Sequence, residues 1–359
     1  MATVLGYAVF VKGRSVATTD EKGNLMQPLL RAEVALGVTA LLGACGSSRD
    51  EAGPAADASS GRGLSSASPT SVHIAETAGI PSSFLDYGKS KGFFSKRGLD
   101  LKIDTSVGGA AVVPALISGS IQIGGSNITS VLLASSKGLP LVVIAGGTYA
   151  TETPKEDFSA VLAGPSSGIT SASDLAGKTI AVNTLRNIGD ITIKASLEKQ
   201  GVDVKGIKFV EAGFPDMLSL LAKGDVDAAW EIEPFVTIGR SQGFKPVLWP
   251  YVEAKPGLMV GSYVTSRKYL ADHADVVKAF RDGVTETAKA IDSDPVAFRA
   301  AIPNLTKTKP EVAQKMILPQ WKGTVDVDSL KWMADEMNKY GLVDKDIDVQ
   351  AVVTPGTSG

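Results

Sequence analysis

The sequence has very little cysteine and histidine for its length. Its 359 residues include one cysteine, Cys45, and two histidines, His73 and His273. A single thiol cannot form a disulfide within the chain, and so few Cys and His side chains argue against the common zinc sites. The net charge of −2 gives no basic surplus of the kind found in nucleic-acid-binding proteins. We expect no metal, no cofactor and no nucleic-acid partner.

The single cysteine follows a short uncharged stretch, residues 34–44, which suits the core of a secretory signal better than a membrane span. The four residues LGAC at positions 42–45 resemble the bacterial lipobox, in which the leader is cut before the cysteine and that cysteine is lipidated. We therefore expect residues 1–45 to be a leader and Cys45 to carry the lipid. A buried apolar cysteine is the alternative, but its neighbours resemble a linker.

The start of the leader has an unusual composition. Residues 1–25 carry mixed charges ahead of any ordinary signal, and Glu33 lies near the start of the apolar stretch. Our hypothesis is that translation begins at Met26, which makes Arg31 the positive charge of the leader.

After Cys45 comes a segment without apolar periodicity. Residues 46–70 are rich in Gly, Ser and Ala, which predicts a flexible tether. No later apolar run reaches membrane-spanning length. The remaining residues suffice for two lobes.

Short apolar segments alternate with helix-like segments through the rest of the chain, which predicts an α/β fold. Strands are predicted at 72–76, 99–105, 121–124, 141–145, 160–164, 179–183, 207–211 and 226–230. Helices are predicted at 128–137, 191–200, 217–223, 273–291, 295–300, 310–318 and 328–340.

Two stretches of the chain resemble each other. Residues 107–126 and 212–231 both read as loop, helix, glycine, short strand and polar tip, with Gly119 opposite Gly224 and Ser126 opposite Glu231. Each glycine suits the left-handed position after a helix. Chance produces such similarities in α/β chains, but a duplication predicts two similar lobes. Our domain prediction places lobe 1 at 71–150, lobe 2 at 151–255 and a return to lobe 1 with C-terminal helices at 256–359.

Two segments imitate catalytic motifs. Residues 164–168 match G-x-S-x-G, but they are not followed directly by a helix as a nucleophile elbow requires. Residues 174–179 imitate the end of a phosphate-binding loop, yet they lead into a strand instead of a helix. We interpret both as turns and expect no enzymatic activity.

Polar residues cluster where predicted strands end and helices begin, which is where α/β sheets bind ligands. Free helix N–H groups there favour an anion, and Arg186 could add a bidentate contact. Alternatively, each polar residue caps its own helix and Arg186 lies on a surface loop. The candidate ligand-binding residues of this kind are Thr77, Ser82, Ser126, Asn127, Thr184, Arg186 and Asn187.

Carboxylates and aromatic residues complicate a purely anionic ligand. Glu231 near the cleft would repel an anion unless the ligand also carries an ammonium or another donor, so a zwitterion fits well. Phe214 could provide an apolar wall, together with Trp230 and Phe235. The alternative places Trp230 and Phe235 in the core and makes Glu233 a helix cap.

Several segments together resemble a known family, the periplasmic-type substrate-binding proteins of ABC importers, and within it the nitrate/sulfonate/taurine class. The resemblance spans about residues 71–340 and lacks a Gln-containing stretch at 76–83 that some sulfonate binders have. The matching segments are SVHIAE (71–76), KSKGFFSKRGLDLK (89–102), ALISGSIQIGGSN (115–127), SDLAGKTIAVN (173–183) and KGDVDAAWEIEPF (223–235).

The resemblance implies a two-lobed type II periplasmic-binding fold with a hinge of crossing strands. It also implies that a lipid-anchored monomer on the extracytoplasmic face captures a small anionic or zwitterionic solute, such as a sulfonate, taurine or nitrate, for an ABC permease. One alternative is a lipid-tethered sensor. Another is an enzyme related to thiamine-pyrimidine synthesis, but those relatives use a cysteine-rich motif that is missing here.

Overall fold

A computed structural model describes residues 64–106, 108–153 and 156–356. Contacts divide the chain into two units, Met1–Ser60 and Gly61–Gly359. The first unit, with the predicted leader and Cys45, lies outside the described residues, as does most of the predicted tether. The fold is therefore that of the second unit.

The described residues form twelve strands and thirteen α-helices. The strands are β1 (Thr70–Thr77), β2 (Leu99–Ser106), β3 (Ile123–Asn127), β4 (Leu141–Gly146), β5 (Thr148–Tyr149), β6 (Ser159–Ala163), β7 (Thr179–Val182), β8 (Lys208–Glu211), β9 (Ala228–Ile232), β10 (Lys245–Leu248), β11 (Gly261–Ser266) and β12 (Gln320–Trp321). The helices are α1 (Ile80–Ser90), α2 (Gly109–Ser118), α3 (Ile128–Ser136), α4 (Ile188–Lys199), α5 (Phe214–Lys223), α6 (Phe235–Ser241), α7 (Pro250–Ala254), α8 (Arg267–Asp272), α9 (Ala274–Ser293), α10 (Pro295–Thr306), α11 (Pro310–Lys315), α12 (Val327–Lys339) and α13 (Val349–Val352).

Two five-stranded sheets share one topology, which confirms the α/β fold. The first has the order β2-β1-β3-β11-β4, and the second has the order β8-β7-β9-β6-β10. In each sheet the first three strands are parallel, and the fourth, which is not consecutive in sequence with the third, runs antiparallel to it. The sheets are thus equivalent, as expected of a two-lobed type II binding fold.

The internal similarity in the sequence corresponds to equivalent structure. Helix α2 leads through Gly119 into β3, and α5 leads through Gly224 into β9. Both glycines end their helix in the left-handed conformation, with φ values of 77° and 76°. Only glycine adopts this conformation without strain. The glycine after each helix is therefore the feature by which the repeat can be recognised in the sequence.

The segments that connect the two sheets run side by side. Strand β5 lies in the outgoing segment and pairs with β12. The returning segment lies against it, since Val260 N donates to Thr148 O at 2.9 Å and Ala150 N donates to Leu258 O at 2.8 Å. The lobes are therefore joined by paired extended segments, the arrangement expected of a hinge.

The C-terminal helices cover the first sheet. Helices α9 and α10 contact α1, and α12 contacts α3. Phe280 on α9 stacks on Phe94 with ring centroids 5.7 Å apart, and burying one such side chain contributes about 1.5–3 kcal/mol.

No helix among residues 64–106, 108–153 and 156–356 is long and apolar enough to cross a bilayer. The predicted domain bounds stay a prediction.

Candidate ligand-binding cleft

The candidate ligand-binding cleft lies where strand ends of both sheets meet. Strands β1 and β3 of the first sheet end at Thr77 and Asn127, while β7 and β9 of the second sheet end at Val182 and Ile232. The carboxyl ends of parallel strands are the usual binding edge of an α/β sheet. The cleft has a volume of about 570 Å³, including open solvent at its mouth.

The first sheet contributes most of the polar lining. Asn127 caps α3 by accepting a hydrogen bond from Ser130 N at 2.9 Å, and the Ser126 hydroxyl donates to Gly109 O at 3.2 Å. A Cβ at Gly109 would come within 2.6 Å of Asn127 N, so glycine lets α2 approach the tip of β3 closely. Helix α2 begins without a side-chain cap, and although Ala111 N donates to Gly108 O at 3.1 Å, Gly108 and Gly109 at its start line the cleft.

Aromatic rings form the opposite wall. Trp230 is 1% exposed, and its Nε1 donates to Ser159 Oγ at 2.7 Å. Its ring meets Phe214 and Tyr251 edge-on, with centroids 5.5 Å and 5.8 Å apart. Since the indole N–H is already used, Trp230 offers a ligand only its ring. Trp230 therefore belongs both to the core and to the wall of the cleft.

Four of the predicted ligand-binding residues line the cleft. They are Thr77, Ser126, Asn127 and Phe214. Asn183, at the start of the predicted binding turn, lines it as well.

Five other predicted residues lie outside this lining. The Ser82 hydroxyl donates to Gly79 O at 2.9 Å within its own helix turn, and Thr184 lies close to Gly108 at the edge of the cleft. Asn187 caps α4 and donates to Ser130 Oγ at 3.0 Å. The two charged members of this group are Arg186 and Glu231.

Arg186 and Glu231 are not among the described residues that line the cleft. Arg186 is exposed, with φ 51°, and its Nη2 donates to Gly341 O at 2.7 Å. Glu231 is 0% exposed, and neither of its carboxyl oxygens has a hydrogen-bond partner among the described residues. On β9 it alternates with Trp230 and Ile232, which face the cleft, so it faces the other side of the sheet. Their roles in binding stay predictions.

Sequence reasoning missed an acid and two tyrosines of the cleft. Glu76 lies at the end of β1, Tyr251 lies on α7 and Tyr263 lies on β11. A carboxyl group next to the last residue of an apolar strand was an available signal for Glu76. The tyrosines gave no local signal, because only tertiary packing brings α7 and β11 to the strand ends.

Burial raises the pKa of several carboxyl groups near the cleft. The pKa of Glu76 rises to about 7, although the Thr77 N–H and the Tyr263 hydroxyl oppose the shift. The pKa of Glu233 also rises to about 7, and this carboxyl caps α6 through Thr237 N at 3.0 Å. Desolvation raises the pKa of Glu231 well above its usual range. These acids therefore hold protons near neutral pH more readily than exposed carboxyls do.

Direct contacts join the two lobes across the cleft. Ile80 N, at the start of α1, donates to Glu233 O of the second lobe at 2.9 Å. The Tyr340 hydroxyl, just after α12, donates to Glu198 of α4 at 2.8 Å. With the Asn187 to Ser130 bond, these contacts describe a closed arrangement of the lobes.

Comparisons with known proteins agree with this geometry. The profile of the family described as NMT1/THI5 like matches residues 83–297, more than half of the chain. The chain belongs to the NMT1/THI5-like family. A curated relative is the taurine-binding periplasmic protein of Escherichia coli (strain K12), which is 24% identical over 199 residues. That match covers 55% of this chain and 60% of the length of the relative.

Solved structures show the fold of this family member. The alkanesulfonate-binding protein SsuA from Xanthomonas axonopodis pv. citri, bound to MOPS, superposes with a TM-score of 0.68 at 18% identity, covering 80% of this chain and 99% of that one. The periplasmic nitrate-binding protein NrtA from Synechocystis PCC 6803 superposes with a TM-score of 0.64 at 15% identity, covering 79% of this chain and 85% of that one. At such identities the likeness concerns the two-lobed architecture.

Proposed function

We propose that this protein is the solute-binding component of an ABC importer and captures one small solute in the cleft between its lobes. The observation that carries the proposal is the cleft itself, in which strand-end polar groups of one sheet face an aromatic wall of the other. Closure around a solute would shift the lobes toward a form that a membrane permease recognises. The taurine-binding relative in sequence, and the sulfonate- and nitrate-binding proteins with the same architecture, support this assignment.

The chemistry of the cleft supports binding without conversion of the solute. Residues 64–106, 108–153 and 156–356 contain no group of three or more His, Cys, Asp or Glu side chains that could hold a metal ion. The hydroxyl groups of Ser126 and Ser262 in the cleft both donate to main-chain carbonyls. Within the described segments neither hydroxyl group is hydrogen-bonded to a general base, which a nucleophilic serine requires.

The lipoprotein part of the proposal is supported by sequence alone. A lipobox-like segment ends at Cys45, and a tether of small residues follows it. We propose that lipid on Cys45 anchors a monomer to the extracytoplasmic face of the membrane. In a bacterial host the parent should sediment with membranes and the Cys45→Ser variant should not. Equal membrane association of the two would contradict the anchor.

Calorimetric titration tests solute capture directly. The full chain carrying Cys45→Ser would be titrated with taurine, alkanesulfonates, nitrate, aromatic carboxylates and small amines. We expect one chemical class to bind with 1:1 stoichiometry and a dissociation constant in the range of about 1 μM or below. If no solute of the set binds at a concentration of about 1 mM, the binding free energy is weaker than about 4 kcal/mol for each of them. That result would contradict solute capture.

A further inference from the structure

The charged part of the cleft lining is acidic. Among the described residues that line it, Glu76 is the only acidic side chain, and none is Lys, Arg or His. A ligand anion would therefore meet no positive side chain and would be buried near a carboxyl group. A ligand cation or a strong N–H donor would meet a carboxyl acceptor in the same place.

Three strands of the first sheet fix the position of Glu76. Its Oε1 accepts a hydrogen bond from Thr77 N at 2.7 Å, and its carboxyl group also contacts the Tyr263 hydroxyl of β11. It lies directly over Gly125 of β3, where an added Cβ would be 2.1 Å from Oε1. A carboxylate offers about four acceptor positions, and these contacts use two. The fixed carboxyl group can thus accept further hydrogen bonds.

The aromatic wall favours the same kind of ligand. Aromatic faces attract cations, and Trp230 attracts them most strongly. Phe214 and Tyr251 extend this wall on either side of Trp230. Aromatic rings facing a carboxyl acceptor provide a suitable environment for an amine, an amidine or an amino-substituted ring.

We propose that the solute carries a positively charged or N–H-bearing group that donates to the Glu76 carboxyl, with its body against Trp230 and Phe214. This inference rests on the proposed function, because it names the class of solute for the same cleft. The uncapped start of α2 and the Asn127 side chain can hold an acceptor group at the other end. The site therefore accepts amines and zwitterions and disfavours plain anions such as nitrate and ethanesulfonate.

Proton release on binding follows from the surroundings of Glu76. The groups acting on it are the Thr77 N–H and the Tyr263 hydroxyl, which lower its pKa, and Asp86 of α1, which raises it. With a pKa of about 7 in this closed arrangement of the lobes, the buried Glu76 carboxyl is partly protonated at neutral pH. A bound cation favours the ionised form, so its affinity should rise as the pH rises through 7. A bound anion should show the opposite dependence.

Matched pairs of probes test this inference. Taurine would be compared with ethanesulfonate, benzylamine with benzyl alcohol, and 4-aminopyridine with pyridine, using calorimetry on the Cys45→Ser chain between about pH 5.5 and about pH 8. We expect the amino member of a pair to bind, its partner to bind at least about tenfold more weakly, and affinity to increase with pH.

Variants of the same chain separate a ligand contact from a structural role. Glu76→Gln should weaken the amine about 10- to 100-fold and abolish the pH dependence, whereas Glu286→Gln, in an exposed ion pair with Lys96, should change neither. If Glu76→Gln does not fold, Tyr263→Phe should move the pH midpoint upward, because it removes a hydrogen bond that lowers the pKa of Glu76.

Two adverse outcomes are distinguishable. Binding of an amine-free anion, tighter at low pH and undiminished in Glu76→Gln, would overturn this inference and leave solute capture standing. Absence of binding by every probe and by the wider solute set would overturn both.

Discussion

Replacing Trp230 with alanine should lower the free energy of unfolding by about 3–5 kcal/mol. The side chain is 1% exposed, and its Nε1 donates to Ser159 Oγ. Helix α4 also packs closely on it, because an added Cβ at Gly189 would come within 2.7 Å of the ring. The variant should therefore leave a large cavity beneath the cleft, together with an unpaired hydroxyl group at Ser159. Guanidinium unfolding measures the loss.

A second tryptophan provides the control. Trp332 on α12 is only partly buried, so Trp332→Ala should cost clearly less than Trp230→Ala. Solute affinity should fall in Trp230→Ala and stay unchanged in Trp332→Ala, because only Trp230 lines the cleft. A loss below about 1 kcal/mol for Trp230→Ala would contradict its place as the centre of the second lobe's core.

Glu231→Met should stabilise the protein at neutral pH by about 1–3 kcal/mol. Glu231 is fully buried, neither of its carboxyl oxygens has a hydrogen-bond partner in the part of the chain that the structure describes, and desolvation raises its pKa well above the ordinary value of 4.5. The folded state therefore keeps a proton that the unfolded chain releases above its own pKa. The stability of the parent falls as the pH rises from about 4.5, and the gain of the variant grows over the same range.

Glu286→Gln is the matched control, with the opposite pH dependence. Hydrogen bonds from Lys96 and Arg97 lower the pKa of Glu286. The ionised Glu286 carboxylate therefore stabilises the folded protein at pH values above the pKa that Glu286 has in the unfolded chain. This stabilisation is lost as the pH falls through the lower pKa of Glu286 in the folded protein. Both variants would be compared with the parent by urea unfolding between about pH 4 and about pH 8. Relative to the parent, the free energy of unfolding should increase with pH for Glu231→Met and decrease with pH for Glu286→Gln. A gain for Glu231→Met that is constant across this range would show that Glu231 keeps its ordinary pKa.

Local patterns predicted the parts of the fold that depend on nearby residues. All eight predicted strands are present, as β1 to β4 and β6 to β9. The glycine stops at Gly119 and Gly224 marked the internal repeat, because a left-handed helix end restricts the residue type locally. Strands β5, β10, β11 and β12 were missed. β11 lies between β3 and β4, although it follows them by more than a hundred residues.

The candidate site was predictable to the same extent. Thr77, Ser126 and Asn127 follow from the rule that ligands bind at strand ends, since each lies at the end of a local strand. Glu231 has the same sequence signal, yet strand alternation turns its side chain away from Trp230 and the cleft. Arg186 was chosen for its charge, but its guanidinium group reaches Gly341, a contact that depends on the return of the C-terminal segment.

The central claim, that the cleft between the lobes holds the solute, is tested most directly by blocking the cleft. Thr77 lies at the end of β1, is only partly buried and lines the cleft, so Thr77→Trp should fill it without disturbing the core. Calorimetry of the Cys45→Ser chain should show 1:1 binding of an unaltered solute, and the same chain with Thr77→Trp should show none at an unchanged melting temperature. Equal binding by both chains would contradict the account.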